Sequence, residues 1–237
     1  MSAERERVHR EVVSFVRRSA RMNPSQLKAW EAHQDWVIRL PTRGSSTSLA
    51  ASAEVDWTGT FGRSAPLTVE IGSGTGEALV PIAAAHPDRD FLAFEVFEPA
   101  VASTLSRIAR AELSNVRVAV ANGAEGLAVL FGPGAIDELW MFFPDPWHKA
   151  RHHKRRLVGP AFADLVADRL APGGVWRLAT DWADYALWMR QVLDPHPLLQ
   201  NPAAGWAPRW PERVATKYER RGLHAGRPIY DLTYRRL

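Results

Sequence analysis

The chain has 237 residues, 46% hydrophobic and 24% charged, a balance that suits one large domain with a packed core and excludes disordered or collagen-like chains. It contains no cysteine, which removes disulfide frameworks, thiolate metal sites and cysteine nucleophiles together. Lysine and arginine number 30 against 26 Asp and Glu, for a net charge of +4; no apolar run nears the roughly 18 residues of a membrane span.

The start, Met1-Ser2-Ala3-Glu4-Arg5-Glu6-Arg7, has charges where a signal peptide needs an apolar stretch, so a cytoplasmic protein with no membrane partner is expected. The first 40 residues mix Arg and Glu with scattered apolar positions such as Val12, Val13, Phe15, Val16, Leu27, Trp30, Trp36 and Val37, the pattern of short helices or an arm. Residues 41–53 are small and polar enough to be a flexible connection. Residues 1–60 are therefore expected to form an N-terminal arm with a linker, and 61–237 the main domain.

From Leu67 onward, apolar strand-like and amphipathic helical segments alternate. Strands are expected at 67–71, 91–96, 116–120, 136–143 and 175–179, and helices at 77–85, 100–113, 160–170 and 183–193, with Pro172-Gly173-Gly174 as a turn. This is the βαβ rhythm of an α/β fold, a mostly parallel sheet with helices on both faces. Segments 213–219 and 228–235 read as an antiparallel hairpin at the C-terminal edge.

Glu70-Ile71-Gly72-Ser73-Gly74-Thr75-Gly76-Glu77 follows the first of these strands. Its glycines permit a tight turn and close approach of backbone to a ligand. Glu77 occupies the place where the dinucleotide fingerprint needs its last glycine, which disfavours a nicotinamide cofactor. Glu70 would repel a pyrophosphate yet could pair with an ammonium, and Glu95 lies 21 residues beyond Gly74, near the separation of about 20 at which a carboxylate reaches ribose hydroxyls. The combination suits S-adenosylmethionine. Asn122, after the third strand, is in register to meet its adenine, although Asn-Gly is also a common turn.

The fourth strand runs into Phe142-Phe143-Pro144-Asp145-Pro146-Trp147, where two prolines stiffen a loop around one carboxylate and Trp147 offers a flat ring for stacking. Lys149 to Arg156 then carries five positive charges, two histidines and no acid. From Arg209 to Arg236, eight basic residues face three acids, so a polyanionic partner is indicated. His148, His152 and His153 have no cysteine or acid cluster beside them, and no metal is expected.

Phe143-Pro144-Asp145-Pro146-Trp147-His148-Lys149, the basic run after it, Thr180-Asp181 and Thr216-Lys217-Tyr218-Glu219 together resemble the bacterial tRNA (guanine-N7-)-methyltransferases, which form 7-methylguanosine in the variable loop. The resemblance runs from about Leu67 to the C-terminus. It implies a Rossmann-like class I methyltransferase fold, S-adenosylmethionine as cofactor and tRNA as partner, in a monomer or homodimer without an obligate protein partner. It implies cofactor contacts from Glu70, Gly72, Gly74, Glu95, Asn122 and Asp145, with Asp145 as the catalytic residue. Lys149, Asp181, Thr216, Lys217, Tyr218 and Glu219 correspond to substrate-contacting positions, and Arg151, His152, His153, Lys154, Arg155 and Arg156 to the RNA-interaction stretch. Asn122 stands where Asp is common and Tyr218 where Phe is common.

The chemistry agrees with that resemblance. Guanine N7 exposes an in-plane lone pair, so methyl transfer requires alignment and no prior deprotonation. Asp145 would orient the reactants and offset the cationic purine; Asp181 would accept from the guanine edge or cap the following helix. The alternatives are an amino-group methyltransferase of the adenine N6 type, whose loop is Asp/Asn-Pro-Pro-aromatic, and a non-catalytic RNA-binding protein on a degenerate methyltransferase fold.

Overall fold

Leu92 and Phe94 are buried in one apolar cluster and their strand neighbours Phe91 and Ala93 in another. This period of two is what a strand between two helical layers requires. The computed structural model describes residues 21–44 and 47–237, and the expectations for Val12 to Val16 fall outside them.

In chain order the elements are α1 (Pro24–Ala32), β1 (Val37–Ile38), α2 (Trp57–Phe61), β2 (Leu67–Ile71), α3 (Leu79–Ala85), β3 (Asp90–Glu95), α4 (Glu98–Arg110) and β4 (Val116–Val120). There follow α5 (Gly123–Leu130), β5 (Ile136–Phe142), α6 (Pro160–Arg169), β6 (Leu170–Thr180), α7 (Ala183–Leu193), β7 (Leu199–Gln200), α8 (Lys217–His224) and β8 (Tyr230–Arg236). The sheet order is β1-β4-β3-β2-β5-β6-β8-β7. Pairings from β1 through β6 are parallel, whereas β8 is antiparallel to both β6 and β7. Helices α3 and α4 bury Leu79, Ile82, Leu105 and Ile108 on one face, and α5, α6 and α7 bury Leu127, Val166, Tyr185 and Met189 on the other.

After β2 the chain builds outward through β3 and β4, then returns to β5 on the other side of β2. Strand order thus reverses between β2 and β5, and ligands collect beyond the carboxyl ends at such a switch point. The strand ends there are Ile71 and Phe142.

Four segments depart from the sequence reading, one of them Pro172-Gly173-Gly174, expected as a turn and found within β6. Residues 213–219 form no strand; they lead to Thr216, whose hydroxyl accepts from the Glu219 N–H and starts α8. The second of the two segments does form an antiparallel strand, β8, but it lies between β6 and β7, so the edge of the sheet is β7. Helix α5 has no counterpart among the expected elements. Asn122 caps it, accepting from the Ala124 N–H at 3.1 Å, and Gly126 lets it press on the sheet, since a Cβ there would lie 2.4 Å from Cζ of Phe94. Finally, the described part of 41–53 is no loose connection. Leu49 and Ala53 are buried and the Leu49 N–H donates to Glu125 at 2.8 Å, while Gln26 of α1 donates to the Pro99 carbonyl of α4 at 2.8 Å.

Candidate functional site

β2 ends in a turn at which Gly72, Gly74 and Gly76 all have positive φ, of 78°, 56° and 73°. Only glycine adopts that conformation without strain. A Cβ on Gly76 would meet Thr104 of α4 at 2.8 Å, whereas one on Gly72 or Gly74 would meet no protein atom. Those two glycines line a cavity of about 370 Å³ at the switch point, together with Glu70, Glu95, Asn122, Asp145 and the residues Thr216, Lys217 and Tyr218.

Glu70 is 3% exposed, and its Oε2 has no hydrogen-bond partner. Burial, and then the neighbouring charge of Glu95, push its pKa up to about 8. Ser73 adds a second buried, unpartnered oxygen on the same wall. Glu95 is differently placed: its carboxylate accepts from the N–H groups of Gly74 at 2.8 Å, Val96 at 2.7 Å and Phe97 at 2.9 Å, fixing the turn to the start of α4. Asn122 uses its amide to cap α5 and to donate to Glu125 at 3.1 Å, which takes two of its four hydrogen-bonding capacities. A buried carboxyl oxygen without a partner costs free energy unless a ligand supplies a donor. The wall therefore fits a small molecule bearing an ammonium group, as the amino-acid end of S-adenosylmethionine does.

Asp145, which lines the same cavity, is exposed in a loop bracketed by two non-glycine residues in the left-handed region, Phe143 at φ 54° and Trp147 at φ 48°. Each costs about 1–3 kcal/mol and persists only where the surroundings over-determine it. Here they do. The Phe143 N–H donates to Ala179 at 2.7 Å, the Arg213 guanidinium lies 5.6 Å from the Phe143 ring, and Arg156 donates to the Pro146 carbonyl at 3.0 Å. The Trp147 ring, which offers a flat face for stacking, lies 3.7 Å from the Arg155 guanidinium and meets His152 edge-on.

Several expected residues lie off the cavity wall. Glu219 is buried and accepts from Arg209 and Arg213, each at 2.9 Å, and Arg213 in turn donates to Asp231 at 2.8 and 3.0 Å. Burial pushes the Asp231 carboxyl up and the Arg213 guanidinium down. Asp181 pairs with Arg227 at 2.8 Å and packs on Gly222 of α8; the cap position of α7 belongs to Trp182. Lys149, Arg151, His152, His153, Lys154 and Arg155 occupy the 3-10 turn beside the Asp145 loop. Arg156 differs from the rest of the expected RNA-interaction stretch: it is buried, paired with Asp184 and 4.9 Å from the Tyr185 ring, so it anchors this segment and does not face solvent. Gln26, Ser73 and Glu77 also line the cavity, and the sequence reading does not place them there. Nothing local in the sequence marks Gln26, which arrives from α1, whereas Ser73 and Glu77 sit inside the glycine motif.

Residues 64–232 match the family described as putative methyltransferases. A relative from Cutibacterium acnes named tRNA (guanine-N(7)-)-methyltransferase is 56% identical over 98% of this chain and 86% of its own length. One of the same name from a Nocardioides species is 52% identical over 96% of this chain and 88% of its own. The chain belongs to the tRNA (guanine-N7)-methyltransferase family. This family uses S-adenosylmethionine, in keeping with the unpartnered carboxyl oxygen of Glu70. Among solved structures, an rRNA methylase from Streptococcus thermophilus shares the fold, with TM-score 0.50 and 14% identity over 73% of this chain and 87% of that one. An antibiotic-related methyltransferase does so at TM-score 0.50 and 15% identity, over 81% and 95%. Among the described residues, no helix is long and apolar enough to cross a membrane.

Proposed function

We propose that the cavity joins a donor wall, at the glycine turn, to an acceptor wall formed by the Asp145 loop and the start of α8, and that guanine N7 in the tRNA variable loop is methylated between them in the cytoplasm. The observation that carries this reading is the orphaned, buried carboxyl of Glu70 on the same cavity as Asp145. When bound, S-adenosylmethionine supplies a sulfonium methyl whose bond to sulfur breaks, the electron pair returning to sulfur, as N7 forms its bond to carbon. Glu70 holds the ammonium, Gly72 and Gly74 allow backbone contact, Glu95 accepts from ribose hydroxyls, and Asn122 meets the adenine with its remaining capacity.

Asp145 needs no proton to remove. It orients the guanine edge and places negative charge where a cationic purine develops, so catalysis rests on alignment and fixed electrostatics. Thr216, Lys217 and Tyr218 guide the base from the cavity wall, Lys149 and Asp181 support them from beside it, and Arg151, His152, His153, Lys154 and Arg155 face the phosphates. Glu219, enclosed by arginines, acts through the placement of α8. Incubation with labelled S-adenosylmethionine and unmodified bulk tRNA, followed by nucleoside analysis, should yield 7-methylguanosine. Asp145→Ala should fold normally and lose about 100-fold or more in turnover. Label in N6-methyladenosine, or wild-type turnover in that variant, would overturn the assignment.

A further inference from the structure

Glu77, the residue that replaces the last glycine of a dinucleotide fingerprint, has no part in the chemistry above, yet it joins the two walls. Its Oε2 accepts from the backbone N–H of Lys217 at 2.6 Å, across 140 residues of sequence. Lys217 is the first residue of α8, and the first four N–H groups of a helix have no partner within it. Thr216 satisfies only the N–H of Glu219, so the Lys217 donor is left to Glu77. A carboxylate is also the group that a helix N-terminus favours electrostatically.

Two cations converge on the same side chain, Arg220 of α8 at 3.4 Å and Arg107 of α4 at 3.8 Å. Glycine turn, α4 and α8 thus meet at one carboxylate on the cavity wall. The far side of α8 is tied elsewhere, through Glu219 and Arg213 to Asp231 of β8 and through Gly222 to Asp181.

We propose that Glu77 is a positioning residue for methyl transfer: it pins the first turn of α8 to the glycine turn and thereby sets the separation between the donor wall and the guanine-facing residues Thr216, Lys217 and Tyr218. This rests on the wall assignments made above. Loosening the tie should spoil the placement of the acceptor while leaving the donor's own contacts in place.

The test uses the full chain as Glu77→Ala and Glu77→Gln. Loss of a charge-assisted hydrogen bond predicts that Glu77→Ala lowers kcat/KM for tRNA about tenfold, with S-adenosylmethionine Kd by calorimetry changed less than about twofold. Glu77→Gln keeps an oxygen for the Lys217 N–H while losing the attraction to Arg220 and Arg107, so it should recover to within about threefold of wild type. Hydrogen exchange gives a readout apart from activity. The Lys217 amide should exchange about tenfold faster in Glu77→Ala, with exchange across Gly72 to Gly76 unchanged. Wild-type kcat/KM in Glu77→Ala, unaltered Lys217 exchange, or a loss of cofactor affinity as large as the loss in kcat/KM would overturn the proposal. If the wild-type protein made no 7-methylguanosine, the wall assignments would fail instead, and Lys217 exchange would still decide the tie.

Discussion

Glu70 and Glu219 are buried almost equally, 3% and 2% exposed, yet Glu219 sits between Arg209 and Arg213 whereas an oxygen of Glu70 meets no protein partner. Taking a carboxylate out of water is costly, and the two sites meet that cost differently. Around Glu219 the protein supplies its own cations, and the product is architecture: α8 fastened to β8 beneath the acceptor wall. At Glu70 the carboxyl keeps its proton up to about pH 8, and the compensating cation must come from a ligand. Burial alone does not mark a functional carboxylate; burial without a partner, on a cavity wall, does.

The largest way to break that comparison is to remove one of the two carboxylates that hold Arg213, which is 0% exposed on its side chain. Glu219→Ala should cost about 3–5 kcal/mol of stability in denaturant titration, because it leaves a buried cation short of its counter-charge. Unchanged stability would remove the distinction between the two glutamates.

Glu70→Gln should act in the opposite sense. The folded protein retains a proton on Glu70 between its ordinary pKa of 4.5 and about 8, so the contribution of this group to stability is complete below pH 4.5 and lost as pH rises through 8. The variant should therefore melt higher than wild type at pH 8.5 and lose that advantage on acidification. It should also bind S-adenosylmethionine about 10- to 100-fold more weakly, since a charged hydrogen bond is gone. Wild-type affinity should rise from pH 6 to 8, and binding at pH 7 should release a proton, measurable by calorimetry in buffers of different ionisation enthalpy.

The smallest effect separates two adjacent arginines. Neutralising Arg151, Lys154 and Arg155 should make the log–log salt slope of tRNA affinity shallower by about one for each phosphate no longer neutralised, with cofactor affinity unchanged. Arg156→Ala should leave that slope alone and reduce kcat, because its partners are the Pro146 carbonyl and Asp184. Equal effects from the two would return Arg156 to the phosphate-facing surface.

Much of the fold is legible in the sequence because strands and helices of a parallel sheet carry strong local periodicity, and the glycine turn and the Pro-Asp-Pro loop occupy fixed places at strand ends. Helix α5 is hidden by Gly123 and Gly126, which read as breakers yet are required for contact with Ile71 and Phe94. Helix α8 is hidden by its flanking arginines and by a short amphipathic pattern, although Thr216-Lys217-Tyr218-Glu219 does carry the Thr-x-x-Glu signature of a helix start.

By itself, the sequence determined the alternation of elements, the glycine turn with its flanking carboxylates, the loop around Asp145 and the family, since each is written in residues close along the chain. Tertiary structure alone decided which charges serve each other: Arg156 with Asp184, Glu219 with Arg213, and Glu77 with the Lys217 backbone. Those pairings join residues from 6 to 140 positions apart, and whether a charge faces water, a ligand or a counter-ion depends on how the chain packs around it, which local pattern cannot encode.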